Sequence, residues 1–152
     1  MKITIRKAKL TDLRAWSSLW QDYLAFYDNE NLADDITELL WQRIHTQGHP
    51  IECFLAEDVQ SKKIIAFSHY FAHSNTWQKH DICYIEDIFI DAQYRNQGLG
   101  KVLIEAVQNE AISKGWQNVH WYTKHDNTQA RNLYDKLTGG TNGFVSYRLP
   151  TK

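Results

Sequence analysis

The stretch Asp91-Ala92-Gln93-Tyr94-Arg95-Asn96-Gln97-Gly98-Leu99-Gly100-Lys101 constrains this chain more than any other, because it joins an apolar, strand-like run to an amphipathic helical one. Glycines at such a junction let the backbone turn tightly and present free N–H groups at the positive end of a helix. That is a seat for a pyrophosphate or a similar anion, with Arg95 and Lys101 adding positive charge on either side. Two familiar phosphate loops do not fit. A Walker loop needs Gly at 95 and Ser or Thr at 102, where the chain has Arg95 and Val102. A dinucleotide fingerprint starting at Gly98 needs glycine at 103, where the chain has Leu103. An ordinary strand-to-helix turn is the plain alternative.

The rest of the chain supplies the setting. Residues 2–7 alternate as a short strand, and Thr11 is placed to cap a helix carrying Leu13, Trp16, Leu19, Trp20, Tyr23, Leu24 and Tyr27. A second helix is predicted from about Asp34, with Ile36, Leu39, Leu40 and Ile44 as its apolar stripe. Strands follow at about 51–58, 63–73 and 82–91, then a helix over 98–114 stopped by Gly115, and a strand over 119–123. Ala130, Leu133, Tyr134 and Leu137 define one face of a last helix ended by Gly139 and Gly140. Residues 144–149 alternate and are predicted to close the chain as a strand. The pattern is α/β (α+β), a mixed sheet with helices packed on it, in a single domain spanning 1–152.

Composition narrows the function classes. Of 152 residues, 43% are hydrophobic and 23% charged, and 17 Lys and Arg nearly cancel 18 Asp and Glu for a net charge of −1. That argues against a broadly basic nucleic-acid face. No apolar run is long enough to span a bilayer and the first residues form no signal-peptide core, so neither a membrane nor a nucleic-acid partner is expected. The two cysteines, Cys53 and Cys83, suit a reduced, cytoplasmic protein. No His, Cys and carboxylate spacing suggests a metal. His69 and His73 on one strand would lie about 13 Å apart, too far to share an ion, and read as surface or acceptor-site residues.

Arg95-x-x-Gly98-x-Gly100 after a strand resembles the coenzyme A signature of the GNAT N-acetyltransferases. Asn127-x-x-Ala130-x-x-Leu133-Tyr134 matches that family's second motif at the expected separation. The resemblance covers about 51–147, and the first 50 residues fit in outline. Tyr84 through Arg95 looks closest to the diamine and spermidine/spermine acetyltransferases. Trp121-x-Thr123 and the Gly143–Arg148 region look more like the branch acetylating histones and D-amino acids. One departure stands out: the family often has glycine four residues after the helix tyrosine, and Thr138 holds that place.

The resemblance implies the GNAT fold, with a mostly antiparallel sheet, and acetyl-CoA as acetyl donor. It implies contacts to that donor from Ile88, Phe89, Ile90, Arg95, Asn96, Gln97, Gly98, Leu99, Gly100 and Lys101, with Asn127 and Ala130 on the last helix. It further implies Glu86 as the base that takes the acceptor amine's proton, Tyr134 as the acid that serves the leaving thiolate, and a homodimer. Each has a bland counterpart: a structural carboxylate at Glu86, a core tyrosine at Tyr134, a helix cap at Asn127. Tyr27, Asp28, Asp87 and Trp121 are the acceptor-side candidates. Strict alternation along 82–91 sets Glu86 on one face with Tyr84 and Ile88, and Asp87 on the other with Ile85 and Phe89.

Residues 15–42 hold Asp22, Asp28, Glu30, Asp34, Asp35 and Glu38 with no Lys or Arg, interleaved with Trp16, Trp20, Tyr23, Phe26, Tyr27 and Trp41. Such a mixture suits a cationic amine, although solvated helix faces explain it equally well. The expected function is an acetyl-CoA-dependent N-acetyltransferase acting on a small cationic primary amine. An acyl-CoA sensor without turnover and a protein-lysine or histone acetyltransferase are the alternatives.

Overall fold

The computed structural model describes residues 2–151. They fall into two units, one running to Tyr122 and one from Thr123.

In the first unit, β1 (Ile3–Lys7), β2 (Glu52–Asp58), β3 (Ile64–His73), β4 (Ile82–Ile90) and β5 (Val119–Trp121) form one sheet in the order β1-β2-β3-β4-β5. Neighbours are antiparallel except β4 and β5, which run parallel. A parallel pair needs a crossover, and α3 (Leu99–Lys114) provides it. This is the mixed, mostly antiparallel sheet with flanking helices that the sequence predicts.

The two sheet faces are covered differently. On one face α1 (Leu13–Phe26) and α2 (Asp34–His45) bury Trp16, Leu19, Trp20, Leu24 and Trp41 against Cys53, Leu55, Phe67 and Phe89. Helical spacing puts the α1 residues on one stripe, and their burial removes two tryptophans and two leucines from water. On the other face α3 buries Leu99, Leu103, Ile104, Val107 and Ala111. There Lys7 Nζ lies 4.5 Å from the Phe54 ring centroid, hydrogen-bonds the Tyr70 hydroxyl and reaches Glu110 of α3 at 3.0 Å.

The second unit contains α4 (Thr128–Thr138), where Asn127 Oδ1 accepts a hydrogen bond from the Ala130 N–H and Gly139, at φ 81°, takes the left-handed cap. Asn127 thus fills the capping role foreseen for it.

Three expectations need correction. Thr11 does not cap α1; it lies in a 3-10 turn, Leu10–Asp12, and Asp12 instead accepts the Lys9 N–H while pairing with Arg6. The fifth strand stops at Trp121, two residues early. Residues 144–149 form no strand. Alternation gives a segment two faces, but a ladder also needs a neighbour to bond with and an apolar face to bury. Here Phe144, Val145, Tyr147 and Leu149 are 74, 72, 92 and 91% exposed, and the Phe144 N–H bonds locally to Asn142 Oδ1.

Candidate active site

The site grows from an irregularity in β4. On β3 the register pairs His69 with Asp87 and Tyr70 with Ile85, so Glu86 is an extra residue with no cross-strand partner. Such a bulge reverses the facing of everything beyond it. Cross-strand partners share a face, so Tyr84 (opposite Phe71), Asp87 (opposite His69) and Phe89 (opposite Phe67) all face α1. Ile85 and Ile88, opposite Tyr70 and Ser68, face α3. The strict alternation predicted from the sequence therefore fails at one point: Asp87 lies with Tyr84, not with Ile85. The bulge gathers both β4 carboxylates near one place, with Glu86 exposed at the kink and Asp87 half-buried beside it.

The strand's other edge opens at the same residue. β5 pairs only with Cys83, Tyr84 and Ile85, whereas β4 continues to Ile90. Among the described residues, the Glu86–Ile90 backbone has no strand on that side. Its N–H and C=O groups form an edge to which an extended ligand can add as a strand would. Ile88, Phe89 and Ile90 lie on this open length.

The loop beyond β4 places a cation beside the start of a helix. Asp91 Oδ1 accepts the Gln93 N–H to start the 3-10 turn Ala92–Tyr94, and Arg95 Nε donates to the Ile90 carbonyl at 3.1 Å. The Arg95 guanidinium sits 5.4 Å from the Phe89 ring centroid and 5.5 Å from that of Phe26, which fixes the cation beside the strand end. Asn96 (φ 61°) and Gly98 (φ 82°) are both left-handed, so the chain turns sharply into α3. No side chain caps that helix, and a Cβ built on Gly98 would meet no atom within 4 Å. Open space thus lies at Gly98, beside the first-turn amides of Leu99, Gly100 and Lys101, which have no intrahelical acceptors. The residues present fit a pyrophosphate.

On the acceptor side, Asp87 accepts hydrogen bonds from the Tyr23 hydroxyl and, at 2.9 Å, from His69 Nδ1. No Lys or Arg forms an ion pair with Asp87 or Glu86 among the described residues. Partial burial, and then the neighbouring Asp87, push the Glu86 carboxyl above its ordinary value. Burial and Asp87 likewise raise the Tyr23 hydroxyl, so it stays protonated and a donor. The Tyr27 ring centroid lies 4.9 Å from that of Tyr23, the rings tilted at 57°, and Asp28 lies exposed just past α1 at φ 55°. Tyr84, its hydroxyl pushed up to about 12 chiefly by burial, packs on Phe71, His120 and Tyr122. Trp121 pairs with Ile85 and so lies on the opposite sheet face from Tyr84 and His120.

Two sequence readings change. His69 is not a surface residue; it is 1% exposed, held between Trp16 and Asp87. The aromatic and acidic residues of 15–42 separate: Trp16, Trp20 and Trp41 are core, while all six carboxylates are exposed. Of that block, Tyr23 and Tyr27 are the rings that come near a β4 carboxylate. On α4, Ala130 and Tyr134 share a half-buried stripe with Leu133 and Leu137. Both cysteines are buried with raised thiol pKa values, Cys83 up to about 12, chiefly from burial. Neither is a thiolate nucleophile at neutral pH. Among the described residues, no three His, Cys, Asp or Glu side chains gather as a metal would require.

Comparison with known proteins gives a consistent picture. Residues 14–139 match the acetyltransferase (GNAT) family model. The D-amino-acid N-acetyltransferase HPA3 of Saccharomyces cerevisiae is 28% identical over 147 residues, covering 97% of this chain and 91% of that one. A thialysine N-epsilon-acetyltransferase of Mus musculus is 30% identical over 108 residues, 64% of this chain and 62% of its own length. Among solved structures, the aminoglycoside N-acetyltransferase AAC(6')-Iy, bound to a bisubstrate analogue, superposes with a TM-score of 0.84 at 21% identity, covering all of both chains. That likeness is one of fold.

Proposed function

This chain belongs to the GNAT acetyltransferase family, and from that premise we propose that it moves the acetyl group of acetyl-CoA to the primary amine of a small cationic molecule by direct attack. The observation that carries the proposal is the pair of carboxylates at the β4 bulge, Glu86 and Asp87, which no Lys or Arg neutralises among the described residues. A half-buried carboxylate such as Asp87 is costly without a cation, and the exposed Glu86 stands beside it. A cationic acceptor is the partner they lack. D-Amino acids, ornithine and thialysine, named for relatives of this chain, each carry an ammonium group at neutral pH.

The two carboxylates divide the work. Asp87, held by two donors, receives the ammonium. Glu86 takes the proton. A primary amine of pKa about 10.4 is neutral in only about one molecule in 2,500 at pH 7, a cost of about 4.6 kcal/mol that the base offsets in place. A carboxyl raised above its ordinary value is closer in strength to its task. Acetyl-CoA brings the acetyl group as a thioester; the open Glu86–Ile90 edge, Arg95, the Asn96–Lys101 amides, Asn127 and Ala130 are the groups that would hold it. The Tyr134 hydroxyl is proposed to supply the proton that the departing thiol needs. Burial of both cysteines supports direct attack over an acyl-cysteine route.

We extend the reading to one GNAT domain over 1–152, since the family match spans both units. Two unbridged cysteines support a cytoplasmic location. A homodimer is supported by the exposed apolar side chains of 144–149, and sedimentation equilibrium checks its mass.

The test is CoA-thiol release from acetyl-CoA with a panel of D-amino acids, ornithine, thialysine, a diamine, an aminoglycoside and a lysine peptide. Turnover with at least one small cationic amine is expected. Acetyl-CoA binding without release against any of them would make the protein a sensor, and turnover of the peptide alone would make it a protein acetyltransferase.

A further inference from the structure

A polar chain runs through the apolar face between α1 and the sheet. Trp16 Nε1–H donates to His69 Nε2 at 2.9 Å, His69 Nδ1 lies 2.9 Å from Asp87 Oδ2, and the Tyr23 hydroxyl donates to Asp87 Oδ1. An indole nitrogen only donates. His69 Nε2 must therefore carry a lone pair, so the proton sits on Nδ1 and is donated to Asp87. Trp16 and Tyr23 are two helical turns apart on α1, so one helix face supplies the first donor and the last. The rings of Trp16, Trp20 and Phe67 surround the imidazole at centroid distances of 5.8, 5.4 and 4.6 Å.

This arrangement has no role for His69 as a base, because its one lone pair is taken by Trp16 and its ring is sealed from water. Core packing alone does not account for it either. An apolar side chain would fill the same space without needing partners at both nitrogens. The chain ends on Asp87, whose two oxygens each receive one donor and keep further acceptor capacity. The carboxylate is thereby fixed in orientation while its charge remains uncompensated.

Resting on the acceptor reading above, we propose that His69, held in one tautomer by Trp16, acts with Tyr23 as a positioning residue. Together they aim the Asp87 carboxylate at the acceptor's ammonium group without touching the acceptor. Trp16 is the outer member of the same relay. The effect belongs to acceptor recognition and leaves the donor side alone.

The experiment compares Asp87→Asn, Tyr23→Phe, His69→Leu and His69→Asn for kcat, both KM values and Tm. Tyr23→Phe removes one oxygen and keeps the ring; it carries the test if His69→Leu does not fold. His69→Asn keeps an N–H donor near the Nδ1 position. Tyr23→Phe and His69→Leu are expected to raise the amine KM about tenfold, the scale of one hydrogen bond to a charged group, with acetyl-CoA KM unchanged. His69→Asn should recover most of that loss. An unchanged amine KM in Tyr23→Phe, or equal loss in His69→Asn and His69→Leu, would reduce His69 to packing. If Asp87→Asn itself leaves the amine KM unchanged, the acceptor reading fails; if only the Tyr23 and His69 variants do, the relay fails alone.

Discussion

Replacing Glu86 with Gln removes a proton acceptor at the β4 bulge while keeping nearly the same shape. Among the described residues Glu86 has no ion-pair partner to leave stranded, so the change should barely alter stability. Its effect on rate should be large and should depend on pH in a specific way. In the wild type, Glu86 must be ionised, so kcat/KM falls as pH drops through a pKa lying above the ordinary 4.5. Above that point the base serves the dominant ammonium form, and the profile stays flat until the amine itself titrates. In Glu86→Gln only amine that is already neutral can react. That fraction rises about 100-fold between pH 7 and pH 9. The variant should lose about 10²–10⁴-fold at pH 7, the usual worth of a positioned base, and recover about 100-fold of it by pH 9. Thiol release under kcat/KM conditions across this range reads both effects. A variant profile parallel to that of the wild type, or a loss under about threefold at pH 7, would refute Glu86 as the base.

Tyr134→Phe should lower kcat by about 10²-fold with acetyl-CoA affinity nearly unchanged, separating proton donation from binding in single-turnover and equilibrium measurements. Asp12→Asn breaks a two-pronged pair in which Arg6 donates at 2.7 and 2.9 Å and holds the Asp12 carboxyl below its ordinary 3.8. A depressed pKa stabilises the fold above the unfolded value and loses that contribution as pH falls. Urea titrations should therefore show the variant less stable by about 2 kcal/mol at pH 7, with the gap closing below pH 4. An aromatic disulfide reagent should titrate neither Cys53 nor Cys83 in the native protein and both in denaturant, since both thiols are buried with raised pKa values.

Much of the architecture could be read from residue order. Helical spacing found Trp16, Leu19, Trp20 and Leu24, glycines marked the ends of α3 and α4, and the Arg95–Lys101 loop stood where a strand meets a helix. Both motifs that carry the family resemblance are local. What escaped was long-range. A bulge at Glu86 exists only in relation to β3, so period-two reasoning carried its faces past the point where they reverse. Trp16 and His69 are 53 residues apart, and nothing near either announces the other. The aromatic residues of α1 and α2 looked like parts of an acceptor site because sequence cannot divide a helix between core and solvent until its neighbours are known. Residues 144–149 have strand-like alternation but no partner within the described chain to complete a ladder.

Selection of a cationic acceptor is proposed to rest on the two uncompensated carboxylates at the β4 bulge. Its most direct test is kcat/KM of the wild-type protein for a matched pair of small primary amines at one pH, equal in size and reactivity, one bearing a second positive charge in place of a neutral group. At least a tenfold preference for the doubly charged amine is expected, about 1.4 kcal/mol, narrowing as salt is added. Equal values for the two amines, or a preference for the less charged one, would contradict it.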